Sequence, residues 1–355
     1  MDQSFFYLPE RSSKKWKTIA LTIGILSCIS LIIVFHNPSP KTSFLSEYEF
    51  EESEFKKFIA LYSKSYKSQS EYKKRFKIFR DNLNFIRYHN QLKKSWYLGL
   101  NEFTDMSMEE FHEKYLSRKF LIDPKTDKNP SELIGPDESV ELPTSVDWVT
   151  AGAVTKVKNQ GQCEASWAFS ATGAIEGAWK IAGHKLTSLS EQQLIDCSAE
   201  EGNNGCYGGI MIMAFEYVII NGGITSESEY PFTGQNESCK NHRAKNIVAK
   251  ISSFDGVSQD SSSALLNAIA RQPISVAVDA NQIIWQFYSG GVIGGECGTN
   301  LNHAVLAVGF DTSENYYLIK NSWGANWGMK GYAEIGITDG VGTCGIQMMP
   351  SYPIV

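Results

Sequence analysis

Asn159-Gln160-Gly161-Gln162-Cys163-Glu164-Ala165-Ser166-Trp167-Ala168-Phe169-Ser170 is the stretch on which the reading of this chain turns. A glutamine and a cysteine precede a small hydroxyl residue, which opens an Ala- and aromatic-rich run continuing to Ala182. Such a run predicts a long buried helix with Ser166 at its first turn, where backbone N–H groups have no intrahelical partner. The pattern reads as a nucleophile presented at a helix start.

Composition sets the frame. The 355 residues, 42% hydrophobic and 20% charged, suffice for several compact units. A net charge of −6 and a pI near 5.6 argue against a phosphate-binding surface, and so against a nucleic-acid partner. Residues 1–17 form a basic region with Arg11, Lys14, Lys15 and Lys17, whereas residues 18–35 are apolar and uncharged. Only Lys41 follows before an acidic cluster at 47–54, so the charge asymmetry puts the N-terminus in the cytosol and the rest across a membrane. Residues 18–35 are either a type II transmembrane signal-anchor or a cleaved signal peptide; their length falls between the two, and both readings stay open. Either one sends the body into the secretory pathway, to a lysosome or vacuole or out of the cell, where cysteines pair. Of seven cysteines, Cys28 lies in the apolar segment. Cys163, Cys197, Cys206, Cys239, Cys297 and Cys344 remain, with 15 possible pairings. No clustered Cys/His spacing points to a metal, no cofactor is implied, and Asn236-Glu237-Ser238 is a glycosylation sequon.

Residues 37–43 read as a Pro/Ser linker. Phe55, Phe58, Ile59 and Tyr62 then make one apolar stripe, and Tyr72, Phe76, Phe79, Leu83 and Ile86 make a second, which predicts two amphipathic helices. The second helix carries Glu71, Arg75, Phe79, Asn82, Ile86 and Asn90 on one frame; taken alone, these are a solvated helix edge with one Glu–Arg pair. Residues 119–141 are charged, contain prolines and lack apolar periodicity, as a linker with a processing site would. Further on, 190–196 and 210–220 predict helices, and 274–278, 304–308 and 316–319 predict strands among Gly-rich turns. The body thus divides into a helical half and a β half.

The frame of six matches, at every position, the Glu-x3-Arg-x3-Phe-x2-Asn-x3-Ile-x3-Asn signature of the inhibitory prosegment of papain-like cysteine peptidases. Gly99, Asn101, Phe103 and Asp105 match its second motif, Gly-x-Asn-x-Phe-x-Asp. Leu142-Pro143-Thr144-Ser145-Val146-Asp147-Trp148 resembles the start of a mature papain-like body, and the resemblance runs on to Val355. It implies an α+β fold, with a helical prosegment over 47–118 and a papain-like two-domain body over 142–355. That body has a helical half, a β-barrel-like half and a cleft between them. The resemblance also implies that the prosegment is an intramolecular inhibitor lying along the cleft in the non-productive direction.

Roles follow from the same resemblance. Gln160 would supply a side-chain amide donor beside the backbone N–H of Ser166, the two donors an oxyanion needs. Leu301-Asn302-His303-Ala304-Val305 matches the general-base segment, and Lys320-Asn321-Ser322-Trp323-Gly324 the segment that orients that histidine. The Asn321 amide oxygen is expected to accept from His303 Nδ1 and leave Nε2 toward position 166. The implied disulfides are Cys163–Cys206, Cys197–Cys239 and Cys297–Cys344. They take all six body cysteines, whereas the family needs one more as a free thiol nucleophile. Position 166, where that thiol belongs, is serine.

Magnitude makes the exchange matter. A thiol of pKa about 8.5 is brought to about 3–4 by its histidine in papain, a site effect of roughly 7 kcal/mol. An alcohol starts near water's value of about 15.7, so the same shift leaves Ser166 protonated at physiological pH. No ion pair forms, and only concerted proton transfer to His303 remains open. Glu164 replaces the family's glycine in the wall beside the scissile bond, where it adds bulk and negative charge or else faces solvent. Gly208 and Gly209 match the segment whose backbone pairs with an extended peptide. Ile210, Met211, Ala277, Leu301 and Met349 would line an apolar specificity pocket, or belong to the core. Trp323 would shield the Asn321–His303 pair or simply pack. The expectation is a papain-like homologue with impaired catalysis that binds a peptide or protein in its cleft, inhibitor proteins of papain-like enzymes included. The alternative is a hydrolase working through Ser166, His303 and Asn321.

Overall fold

A computed structural model describes residues 40–117, 135 and 141–355. The apolar segment 18–35 lies outside them, as does nearly all of the 119–141 linker. Among the described residues no helix is long and apolar enough to cross a membrane. Residues 51–355 form one compact unit; of the unit before it, residues 1–50, only the opening of the first helix is described.

The prosegment comprises α1 (Pro40–Leu61), α2 (Gln69–Gln91), β1 (Trp96–Leu98) and α3 (Met108–Tyr115). Helix α1 already includes Pro40, the first described residue, so the part of the expected 37–43 linker that is described is helical. Ser68 caps α2 by accepting from the Glu71 N–H at 3.1 Å, and a Glu71 carboxylate oxygen accepts from the Lys67 N–H at 2.8 Å. Glu71 therefore serves the cap, and the expected Glu–Arg pair does not form. The Arg75 guanidinium instead donates to Glu110 at 2.5 Å and to the Asp105 carbonyl at 2.9 Å. Glu110 also closes a capping box with Ser107 at the start of α3. The apolar stripes of α1 and α2 meet in one small core of Phe55, Phe58, Phe76, Phe79 and Leu83.

The body follows with β2 (Ser145–Asp147), α4 (Ser166–Ile181), α5 (Glu191–Cys197), α6 (Met211–Ile220), β3 (Ile224–Thr225), α7 (Asn241–Ala244), β4 (Ile247–Ala249) and β5 (Ser253–Gly256). It continues with α8 (Ser262–Ile269), β6 (Ile274–Val278), α9 (Ile283–Phe287), β7 (Tyr288–Ile293), β8 (His303–Asp311), β9 (Tyr316–Lys320), β10 (Tyr332–Gly336) and β11 (Ser351–Ile354). One mixed sheet runs β1-β7-β10-β9-β8-β6-β11-β5, with β2 on β8. Its path is open, ending at β1 and β5, and β3 pairs with β4 separately. Strand β1 belongs to the prosegment, so Trp96–Leu98 extends the sheet of the body by pairing antiparallel with β7.

Strands β6 and β8 are buried along nearly their whole length and mostly apolar, because both of their faces are covered. Val276, Val278, Val305 and Ala307 join one core, whereas Ala277, Ala304, Leu306 and Val308 join a second with α4, α5 and α6. Helix α4 lies close on this second face because its residues are small. A Cβ on Gly173 would come within 2.8 Å of Leu306 Cδ2, and one on Gly177 within 2.6 Å of Pro273 Cγ. That close approach sets Ser166, first in α4, beside the opening residues of β8. The disulfides are Cys163–Cys206, Cys197–Cys239 and Cys297–Cys344, the three pairs that the resemblance implies.

Candidate functional site

Ser166, His303, Asn321 and Gln160 converge where α4, β8 and the end of β9 meet. Ser166 is 1% exposed, and its Oγ accepts from the Ala304 N–H at 3.1 Å. His303 is fully buried, with Nε2 2.8 Å from Asn321 Oδ1. An amide oxygen only accepts, so Nε2 carries the proton and Nδ1 holds the lone pair. This reverses the expected roles of the two ring nitrogens. The torsions that lay the ring on Trp323, with centroids 4.4 Å apart, decide which nitrogen meets the amide, and residue spacing does not encode them. Nδ1 is buried without a hydrogen-bond partner. Burial pushes the His303 pKa down to about 4 despite the Asn321 bond, so the ring is neutral at neutral pH.

Gln160 is fully buried, and its orientation is fixed from both ends. Its Oε1 accepts from Ser322 Oγ at 2.7 Å, and its Nε2 donates to the Cys163 carbonyl at 2.9 Å. The same Nε2 lies 3.4 Å from the carbonyl of Tyr115, a prosegment residue. Two residues later the Ser117 N–H donates to the Asn302 carbonyl at 2.9 Å. Prosegment backbone therefore occupies the cleft on both sides of Ser166. Above it, Phe103, Phe111 and Tyr115 stack together and close on Trp323, with Phe111 5.1 Å away edge-on. With the prosegment in place, Trp323 is fully buried between these rings and His303.

The ten prosegment motif residues hold this plug in shape. Asn82 donates to the carbonyls of Thr104 and Met106, each at 2.9 Å, and Asn90 bonds both the N–H and the carbonyl of Leu98. Asn101 donates to the Gln286 carbonyl at 2.6 Å, tying the prosegment to α9. Asp105 accepts from Lys64 and Tyr66, and Phe79, Ile86 and Phe103 are buried. Gly99 passes so near β7 that a Cβ would meet Ser289 Oγ at 2.8 Å.

Several predicted groove residues are packed rather than open. Glu164 is only 8% exposed with the prosegment in place, and its N–H donates to the Cys206 carbonyl at 3.1 Å. Gly209 touches Trp167, whose ring a Cβ would meet at 2.7 Å, and the Gly208 carbonyl accepts from the Asn204 N–H. Met211, Ala277 and Leu301 belong to the core shared by α4 and β8; Met349 packs against it, and Ile210 is buried. Asn236 is exposed, and its Oδ1 accepts from the Cys206 N–H at 2.7 Å. Among the described residues no group of His, Cys, Asp and Glu is placed to hold a metal.

Sequence reasoning missed Tyr115, Ser117, Asn302 and Ser322, and a buried charge cluster behind the site. Lys158 Nζ lies 2.9 Å from Glu176 and 2.5 Å from Glu191, Thr155 donates to Glu176 at 2.6 Å, and Lys320 donates to Thr155 at 3.1 Å. A cavity of about 20 Å³ separates this cluster from Asn321 and Ser322. Burial opposes the charge on Glu176, yet Lys158 and Lys320 hold it ionised. Burial pulls Lys320 down to about 8 and pushes Glu191 up. The signal was in the sequence: Glu176 is a carboxylate inside an otherwise apolar helical run.

A helical layer packed on a mixed sheet, with a His–Asn pair at the junction and a prosegment across it, defines a peptidase-type fold with its cleft covered. Residues 142–354 match the sequence profile of the papain family cysteine protease, and residues 55–111 that of the cathepsin propeptide inhibitor domain (I29). The chain belongs to the papain family of cysteine proteases, and its prosegment is an intramolecular inhibitor. The chain is similar to the senescence-specific cysteine protease SAG39 of Oryza sativa subsp. indica, with 39% identity over 94% of this chain and 98% of that protein. It is 43% identical to the cysteine protease XCP2 of Arabidopsis thaliana over 84% of this chain and 85% of that one. Among solved structures, the recombinant stem bromelain precursor matches with a TM-score of 0.78 at 38% identity, covering 86% of this chain and 99% of its own. The proform of the ragweed pollen cysteine protease Amb a 11 gives 0.79 at 36% identity, covering 86% and 95%.

Proposed function

We propose that this protein is a papain-family homologue in which Ser166 stands in the place of the nucleophilic cysteine, so that it binds peptides in its cleft with little or no turnover. The Ser166 hydroxyl carries the reading. Its Oγ accepts from Ala304 N–H at 3.1 Å, while His303 Nδ1, the nitrogen with the open lone pair, has no hydrogen-bond partner. A serine attacks only as it gives its proton to a base, and the Ser166 hydroxyl makes no hydrogen bond to His303 here. The cysteine inventory supports the same conclusion, because all six cysteines of 142–355 are in disulfides and leave no thiolate.

An extended peptide is the supported ligand class, since the prosegment backbone already uses Gln160 and the Asn302 carbonyl. Three disulfides and the exposed Asn236 sequon support a secretory-pathway protein, vacuolar or extracellular, with a glycan at Asn236. The hydrolase alternative has its own support, the 2.8 Å His303–Asn321 bond and the fixed Gln160 amide. Labelling separates the two readings. After prosegment displacement, neither a serine-directed fluorophosphonate nor a thiol-directed epoxide is expected to label the protein. Fluorophosphonate labelling that Ser166→Ala removes would favour the hydrolase instead.

A further inference from the structure

The cavity of about 20 Å³ behind the His303–Asn321 pair is lined by Asn321, Lys320 and Glu176, among others. All three residues are more than nine-tenths buried, and each keeps unused hydrogen-bonding capacity. The Asn321 amide has only one orientation, because Oδ1 accepts from the Ser322 N–H at 2.7 Å as well as facing His303 Nε2. Its Nδ2 is left as a buried donor with no partner in the protein. Lys320 uses one of its three donors, toward Thr155 at 3.1 Å. Glu176 accepts from Lys158 at 2.9 Å and from the Leu189 N–H at 2.8 Å through Oε1, and from Thr155 at 2.6 Å through Oε2. A carboxylate takes roughly four such bonds, so Oε2 has one lone pair to spare. The cavity thus meets two donors and one acceptor, and a buried donor left unpaired is costly. Its volume exceeds the roughly 10–15 Å³ that one water needs, and a buried water typically makes about three bonds.

We propose that this cavity is a binding site for one water, which accepts from Asn321 Nδ2 and Lys320 Nζ and donates to Glu176 Oε2, and that Lys320 and Glu176 thereby position the Asn321 amide against His303. The buried charge cluster is then more than a structural staple. Its charges hold the water, the water holds the amide plane, and the amide oxygen holds the proton of His303 on Nε2. Lys320 and Glu176 are positioning residues, since neither touches His303 or Ser166. The inference holds whether or not Ser166 turns substrate over, because it concerns the His303–Asn321 pair alone.

Two measurements on full-length protein test this. A crystal structure that orders internal water is expected to show one water within hydrogen-bond distance of Asn321 Nδ2, Lys320 Nζ and Glu176 Oε2. A dry cavity, or a water out of reach of Asn321 Nδ2, would overturn the proposal. This arm uses the native protein, so it stands even if a variant fails to fold. The second arm follows the His303 ring by NMR of protein labelled with 15N-histidine, comparing wild type, Lys320→Met and Phe215→Leu. Phe215 is fully buried in α6, away from the cavity lining, so its truncation loosens the core without touching the water. Lys320→Met is expected to speed solvent exchange of the Nε2 proton at least about tenfold, the loss of one bond from a charged donor. Phe215→Leu should leave that exchange within about twofold of wild type. Unchanged exchange in Lys320→Met, or equal acceleration in both variants, would overturn the positioning role.

Discussion

His303 gives the protein a pH dependence that can be worked out from its surroundings. The ring is fully buried under Trp323, and burial sets its pKa at about 4 against an ordinary value of 6.5. Below pH 6.5 the unfolded chain takes up a proton at this residue, and the folded chain does so only near pH 4. The unfolded state binds more protons across that window, so stability falls as pH falls from 6.5 to 4 and is unaffected by this group above it. A shift of this size corresponds to about 3 kcal/mol. The assay is urea unfolding of full-length protein with disulfides intact, followed by tryptophan fluorescence at about pH 7 and about pH 4, for wild type and His303→Gln. Carboxylates titrate in both proteins and cancel in the difference. Glu110 is one of them: burial pushes it up, but Lys74 and Arg75 hold it at about 2. The wild type should lose about 3 kcal/mol more than the variant on acidification. Equal losses in the two proteins would refute the reasoning.

Phe111→Ala removes a ring that is 1% exposed and touches Phe103, Tyr115 and Trp323. It should weaken prosegment docking by about 3–5 kcal/mol, read as faster amide exchange across α3 while α4 and β8 keep their protection. Lys158→Met leaves Glu176 and Glu191, each with a side chain only 1% exposed, without their shared cation. The expected loss is about 3–5 kcal/mol near pH 7, seen as a lower thermal midpoint, with part recovered near pH 5 as Glu191, already pushed up by burial, takes a proton.

Motifs that act through backbone carbonyls and local packing were legible in the chain. Asn82, Asn90 and Asn101 stood out through the resemblance, whereas their partners did not: Asn82 and Asn90 reach backbone beyond the end of α2, and Asn101 reaches the Gln286 carbonyl in the body. The β-branched runs at 274–278 and 304–308 likewise announced strands, which the fold buries on both faces. The finer chemistry was not legible. Which nitrogen of His303 meets Asn321 depends on ring torsions set by Trp323, and the occupancy of Gln160 depends on where Tyr115 lands across 45 residues of intervening chain. The sequence also could not separate pocket from core for Met211 and Ala277, because an apolar residue at a strand or helix face suits both. The charge cluster was half legible: Glu176 stands out as a carboxylate in an apolar helical run, but its partners Lys158, Glu191 and Lys320 come from three other segments that only the fold brings together.

Catalysis in this fold turns on Ser166, and turnover is its most direct measure. Wild type, Ser166→Cys and Ser166→Ala, each with the linker cut and the prosegment displaced, are compared on a library of unstructured fluorogenic peptides. The account predicts that wild type and Ser166→Ala both stay at the blank rate, while Ser166→Cys gains hydrolysis that a thiol-directed epoxide stops. Wild-type hydrolysis above blank that Ser166→Ala abolishes would contradict it.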